Sequence, residues 1–209
     1  MKDATGKTKQ LDNSTGAQKI ALRRAVLLDA PRRPVVLETH GGFGRIYERT
    51  WFKASTGVVI EKDEDKVEHL AQQRPNWRVY QGDSLRALQG GLAADMAFDV
   101  IDLDPYGSTL EYLEAFASGG RAWPDRWQLV ANDGMKQKLR LGGAWSVKVL
   151  RSVVEQQGND LYDRYLPIVR DAVRSMAARI GFRVVGWHGY HTGDDHDMTH
   201  YRAVMERAT

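Results

Sequence analysis

Val35-Val36-Leu37-Glu38-Thr39-His40-Gly41-Gly42-Phe43-Gly44 decides how this chain folds. The first three residues are a short apolar strand. An acid closes it, a glycine-rich turn follows, and residues 45–52 read as a helix. A strand that runs through glycines into a helix opens an α/β unit, and such units bind ligands at the carboxyl ends of their strands.

Outward from this stretch the alternation repeats. Residues 57–61, 77–80, 97–103 and 127–131 read as strands, and 64–73, 84–89 and 109–117 as the helices between them. Upstream, residues 17–30 carry helical spacing that Pro31 and Pro34 stop. Downstream, Asp160 is positioned to open a helix to Arg179, with Leu161, Tyr165, Val169, Val173, Met176 and Ile180 on one stripe. Residues 182–187 and 201–205 read as two last strands joined without a helix, hence antiparallel. The expected fold is α/β: a mostly parallel seven-stranded sheet with a terminal antiparallel hairpin and helices on both faces.

The 209 residues suggest a single domain over 17–209, with residues 1–16 as a flexible lead-in and 133–158 as a possible substrate-recognition insertion. Hydrophobic residues make up 42% and charged residues 27%, which argues against a disordered or membrane-embedded chain. Cysteine is absent, which excludes disulfides, thiolate catalysis and cysteine zinc sites. No signal-peptide core is expected at residues 1–7, and a cytoplasmic location fits. The net charge of +3 is a mild pointer to a polyanion. Lys2, Lys7, Lys9, Lys19, Arg23, Arg24, Arg32 and Arg33 load the first segment, and Lys136, Lys138, Arg140, Lys148 and Arg151 form a second group. Both are phosphate-contact candidates, and both could equally be solvated faces.

Three acids end three successive predicted strands: Glu38, Glu61 and Asp83. A carboxylate after the second strand suits a ribose diol. Singly, Glu61 could be a surface acid in a charged run and Asp83 a helix N-cap. The fourth strand runs into Asp102-Leu103-Asp104-Pro105-Tyr106-Gly107-Ser108.

Together these stretches resemble class I S-adenosylmethionine-dependent methyltransferases, which are Rossmann-like. Gly42 and Gly44 match that family's glycine motif, Gly41 lies between them and His40, and His40 stands where the first glycine is usual. The resemblance implies S-adenosylmethionine as cofactor, held by Glu38, His40, Gly41, Gly42, Gly44, Glu61, Lys62, Asp83, Ser84 and Asp102. Asp104-Pro105-Tyr106 resembles the motif of enzymes that methylate exocyclic amino groups, and the longer run to Ser108 is similar to the tRNA guanine N2-dimethyltransferases. The chain is too short for that family's additional C-terminal domain. In this reading Asp104 and Pro105 accept from the target amino group, and Asp104 takes its proton. Tyr106 offers a stacking face. Asn132, Lys136, Lys138 and Arg140, after the fifth strand, are expected to meet a nucleic-acid substrate, RNA in preference to DNA. The alternatives are a DNA amino-methyltransferase acting on adenine N6 or cytosine N4, a non-catalytic cofactor-binding scaffold, and a nicotinamide oxidoreductase.

Two features compete for attention. His188, His191, His196 and His200 crowd a stretch with Asp194, Asp195 and Asp197, but their spacing matches no compact metal motif, so no metal is expected and the stretch reads as a loop. Among six tryptophans, Trp123 and Trp145 fall in predicted loops and are the two candidates for substrate contact.

Overall fold

The computed structural model describes residues 15–140 and 162–209; the side chains of residues 138–140 also lie outside the description. Seven strands form one sheet in the order β3-β2-β1-β4-β5-β7-β6. In chain order the elements are α1 (Gly16–Asp29), β1 (Val35–Glu38), α2 (Arg45–Arg49), a 3-10 turn (Trp51–Lys53), β2 (Thr56–Glu61), α3 (Glu64–Gln73), β3 (Trp77–Gln81), α4 (Ser84–Gln89) and β4 (Val100–Leu103). After these come α5 (Leu110–Ser118), β5 (Arg126–Asp133), α6 (Met135–Arg140), α7 (Tyr165–Arg179), β6 (Phe182–Thr192) and β7 (Met198–Arg207). Strands β1 to β5 run parallel, and β7 lies antiparallel to both β5 and β6.

Alternation along the strands divides the core into two layers. Val36, Val59, Val100 and Val130 face α1 and α3, where Leu22, Val26, Trp51 and Leu70 cover them. Leu37, Ile60, Ile101, Leu103, Leu129 and Ala131 face α5 and α7, packing on Leu113, Phe116, Val169 and Val173. Burying residues on both faces is what a parallel sheet requires. Local chemistry sets the helix starts: Asp63 accepts from the Lys66 N–H at the head of α3, and Asp83 from the Arg86 N–H at the head of α4.

Two expectations change here. The histidine-rich stretch is not a loop. β6 and β7 continue through it, pairing His188 with Arg202, Tyr190 with His200 and His191 with Thr199, and only the turn around Gly193 to Asp197 is irregular. It is strand because one of its faces is covered by α1. Trp123 does not face substrate. Its ring lies 4.9 Å from Trp127, 5.0 Å from Phe116 and 5.7 Å from Phe182, inside the α5–α7 layer. Trp145, Asp160, residues 1–14 and most of 133–158 lie outside the described residues. Among the described residues no helix is long and apolar enough to cross a membrane, and no group of three His, Asp or Glu side chains is arranged to hold a metal ion.

Candidate active site

The loop after β4 stands at the centre of the strand-end face. Asp104 is about a quarter exposed, and both its oxygens accept from the Lys19 ammonium, at 2.7 and 2.9 Å. Desolvation pushes its carboxyl up, but Lys19 and Arg23 outweigh that and hold it below the usual carboxylate range. Pro105 is buried, whereas the Tyr106 side chain is 99% exposed, an aromatic face presented to solvent. Gly107 has φ of 127°, a conformation that L side chains rarely adopt, and its carbonyl accepts from the Gly134 N–H at 3.0 Å.

Asp133, at the end of β5, fixes this loop from beneath. It is fully buried and accepts from the Thr109 N–H and hydroxyl, the Met135 N–H and the Tyr165 hydroxyl. Burial raises its pKa against the pull of these donors. One carboxylate thereby joins β5 to the starts of α5, α6 and α7. The Tyr201 hydroxyl adds a contact to Thr109 at 2.5 Å.

The acids expected at a cofactor divide into inward and outward groups. Glu61 gathers the glycine turn. One oxygen accepts from the Gly42 N–H at 2.8 Å, and the other from the N–H groups of Lys62 and Asp63. Asp83 is exposed and caps α4, and the Ser84 hydroxyl, buried, donates to the Thr39 carbonyl. Gly42, with φ of 54°, has no atom within 4 Å of where a Cβ would stand, so backbone there is open to an approaching group. His40 does not take the left-handed conformation; Gly42 and Gly44 do, and Gly44 directly precedes α2 after Gly41. His40 bonds Thr39 and packs edge-on to Tyr112. Desolvation lowers its pKa despite Asp104 and Glu61 nearby.

Glu38 and Asp102 point elsewhere. Glu38 is buried on Arg74, whose guanidinium lies 4.3 Å from the Tyr47 ring and 5.0 Å from that of Trp77. Burial pushes the Glu38 carboxyl up to about 7 against the pull of Arg74. Asp102 is held by Arg23 through both oxygens and by the Trp51 indole N–H at 2.8 Å. Both Asp102 oxygens are bonded from within the protein, whereas Glu38 is bonded through one oxygen only among the described residues.

The basic residues also divide. Arg23 is 0% exposed and Lys19 is engaged by Asp104, so neither is a surface phosphate contact; Arg24, Arg32 and Arg33 remain exposed. Lys136 is 7% exposed, its ammonium donating to the His196 carbonyl and lying 4.4 Å from the Tyr162 ring centre. Desolvation lowers its pKa. The side chains of Lys138 and Arg140 lie outside the described residues. Asn132 is buried at the end of β5, opposite His200 of β7. Sequence reasoning missed Asp133, Tyr165, Arg74 and the ion pairs that join Lys19 to Asp104 and Arg23 to Asp102. The only signal for the pairs was the i, i+4 spacing of Lys19 and Arg23 on one helix, set against acids two apart, Asp102 on β4 and Asp104 just after it.

This sheet, with its terminal hairpin and helices on both faces, is the Rossmann-like fold of class I methyltransferases. No protein-family model matches the chain, and no curated protein matches it in sequence. Among solved structures the likeness extends to Trm1 from Pyrococcus horikoshii, determined with S-adenosyl-L-methionine: TM-score 0.67, 15% identity, covering all of this chain and 59% of that one. The chain thus spans less than two thirds of Trm1. NodS, an N-methyltransferase from Bradyrhizobium japonicum determined with S-adenosyl-L-homocysteine, matches 95% of this chain and 90% of its own at TM-score 0.59 and 12% identity. TYW2 from M. jannaschii, determined with AdoMet, matches 97% of this chain and 80% of its own at TM-score 0.57 and 12% identity.

Proposed function

We propose that the chain is an S-adenosylmethionine-dependent methyltransferase that modifies an exocyclic amino nitrogen of a nucleic-acid base, in RNA rather than DNA. The observation that carries this is the β4 loop: an ionised Asp104 and a wholly exposed Tyr106 ring, beside an open glycine turn and two outward acids. The cofactor's chemistry fits the residues present. Glu61 retains acceptor capacity for ribose hydroxyls, Asp83 is exposed for an adenine amino group, and the backbone at Gly42 is unobstructed. Lys62, Ser84 and Gly41 shape this wall, while Glu38 and Asp102 brace it from behind.

Bound S-adenosylmethionine supplies a methyl group already activated on a sulfonium. The protein's task is then to position the amino nitrogen in line with it. A base amino lone pair is delocalised into the ring. Acceptance of its N–H by Asp104 and by the Pro105 carbonyl favours a more tetrahedral, more nucleophilic nitrogen. Asp104 would take the proton that the amino nitrogen loses on accepting the methyl group. Tyr106 stacks the extruded base, a contact worth about 1–3 kcal/mol. RNA is favoured by the resemblance of Asp102 to Ser108 to tRNA guanine N2-dimethyltransferases.

The test is incubation with methyl-labelled cofactor and separate pools of tRNA, rRNA, DNA and protein. Label on an amino nitrogen of an RNA base is the expected result. Label on DNA moves the substrate to adenine N6 or cytosine N4. No label anywhere, with cofactor bound, leaves a binding scaffold.

A further inference from the structure

The strand register extends a row of side chains away from Asp104. Leu103 pairs with Ala131 at the end of β4, so the chain leaves the strand into Asp104 on the side of Asn132, and Asp104 is near enough to act on His200; Asn132 is opposite His200, and His200 is opposite Tyr190. All four belong to the face that α1 covers. Asp104 meets Lys19, Gln128 four residues before Asn132 on β5 donates to the Val26 carbonyl, and the Tyr190 hydroxyl lies 3.4 Å from the Gln18 carbonyl. Neighbouring strands stand about 4.8 Å apart, so Asn132 and His200 lie within one and two strand spacings of the proposed proton acceptor.

The middle of the row is unusual. Asn132 is 1% exposed and His200 0%, yet the amide nitrogen and oxygen of Asn132 and both ring nitrogens of His200 have no hydrogen-bond partner among the described residues. The Gln18 side-chain oxygen, on the first turn of α1, is in the same condition. Buried polar groups in proteins are nearly always bonded, and leaving them otherwise is destabilising. Four such atoms on two adjacent side chains are poor material for a core and good material for a binding site.

We propose that Asn132 and His200 are the base-reading pair of the substrate site, bonding the ring edge of a neutral nucleobase whose exocyclic amino group reaches Asp104. This rests on the methyltransferase reading above and adds a specificity element to it. Asn132 offers one donor pair and one acceptor, and a neutral imidazole offers one of each. That set complements an uncharged edge bearing both donors and acceptors, and it gives nothing extra to a phosphate. Burial, reinforced by Lys19 and Arg23, pulls His200 down to about 4, so it stays neutral near pH 7. The first turn of α1 overlies the pair, and Lys19 occupies Asp104. Entry of the base therefore exchanges the Lys19 ammonium for the amino group at Asp104.

The test uses protein with 15N-labelled histidine, the His200 ring signals being assigned by their loss in His200→Phe. Wild type and Lys19→Met, which removes the ammonium from Asp104, are titrated with guanosine, adenosine, cytidine and, as the control lacking an amino group, uridine. An amino-bearing nucleoside is expected to move the His200 signals where uridine does not, and Asn132→Leu to weaken that response about ten-fold or more. Silence with all four nucleosides in both proteins, or an equal response to uridine, overturns the proposal. Melting provides the second readout. Asn132→Leu and His200→Phe remove unpaired buried polar atoms and should raise Tm. A fall in Tm in both would mean that the two side chains bond within the protein, which also overturns it. Calorimetry with S-adenosylhomocysteine on the same samples separates the two ideas. Failure of wild type to bind sinks the methyltransferase reading, whereas binding with silent His200 signals sinks only the base-reading pair.

Discussion

Replacing Arg23 by Met distinguishes a surface arginine that meets nucleic acid from a buried one that holds the sheet. The structure gives this guanidinium three acceptors: both oxygens of Asp102, the Nε contact at 2.7 Å, and the Lys19 carbonyl at 3.1 Å. Arg23 and Asp102 are each about 1% exposed. Met fills similar volume but leaves Asp102 buried with the Trp51 indole as its remaining donor. Removing one partner of a buried ion pair costs about 3–5 kcal/mol, because the other charge stays uncompensated. In a chain of this size each kcal/mol shifts Tm by roughly 2–4 °C, so a fall of about 6–20 °C is expected in thermal melts followed by circular dichroism. Arg23→Met/Asp102→Leu removes both charges and should recover most of the loss, since an apolar pair of similar volume is often neutral or better. An Arg23→Met protein that melts within about 2 °C of wild type yet binds nucleic acid less tightly would refute the buried-pair reasoning and restore Arg23 to the surface.

Four further outcomes are expected. Glu61→Ala should weaken S-adenosylhomocysteine binding by roughly ten-fold or more in calorimetry, because a charged acceptor is lost and the glycine turn loses its tie; unchanged affinity in a folded protein would remove Glu61 from the cofactor site. Asp104→Ala should abolish methyl transfer while leaving that affinity near wild type, and Tyr106→Ala should reduce transfer more than Tyr106→Phe, which keeps the ring; wild-type transfer by Asp104→Ala would remove its proposed role. Lys19 and Arg23 together hold Asp104 below its usual range, so Lys19→Met leaves desolvation less opposed, and the acid limb of the kcat/KM profile should move to higher pH. His200, pulled down to about 4 by burial, resists a proton that the unfolded chain accepts; stability should fall as pH drops from about 6.5 to 4, by up to about 3 kcal/mol, and His200→Phe should lack that component in urea titrations.

The sheet was legible wherever local pattern sufficed. Val35–Glu38, Glu64–Gln73 and Ser84–Gln89 begin and end where apolar runs, caps and glycines predict. The histidine-rich hairpin was not, because its polar residues suggest a loop, and the reason they form strand is a covering helix more than 150 residues away in sequence. A register shift between Val184 and Gly186 further breaks its alternation. At the site, residue types and order were readable for Glu61, Asp83 and the β4 loop. Lys19 and Arg23 were not, because a lysine and an arginine on an amphipathic helix look solvated until acids 85 and 79 residues later close onto them. Asp133 was hidden for a related reason: its four donors come from three helices, and no window of sequence contains them all.

The strand order also has a consequence during synthesis. Lys19 precedes Asp104 in the chain and His200 follows it, while β7 must insert between β5 and β6 in space although both precede it in the chain. A nascent chain that has completed β5 can assemble the parallel half of the sheet, but β5 is then an edge strand with unpaired backbone groups, and such edges invite association. Closure of that edge and completion of the Asp104–Asn132–His200 row are one event. A product ending before residue 198 therefore lacks both, and β5 is left as an unpaired edge.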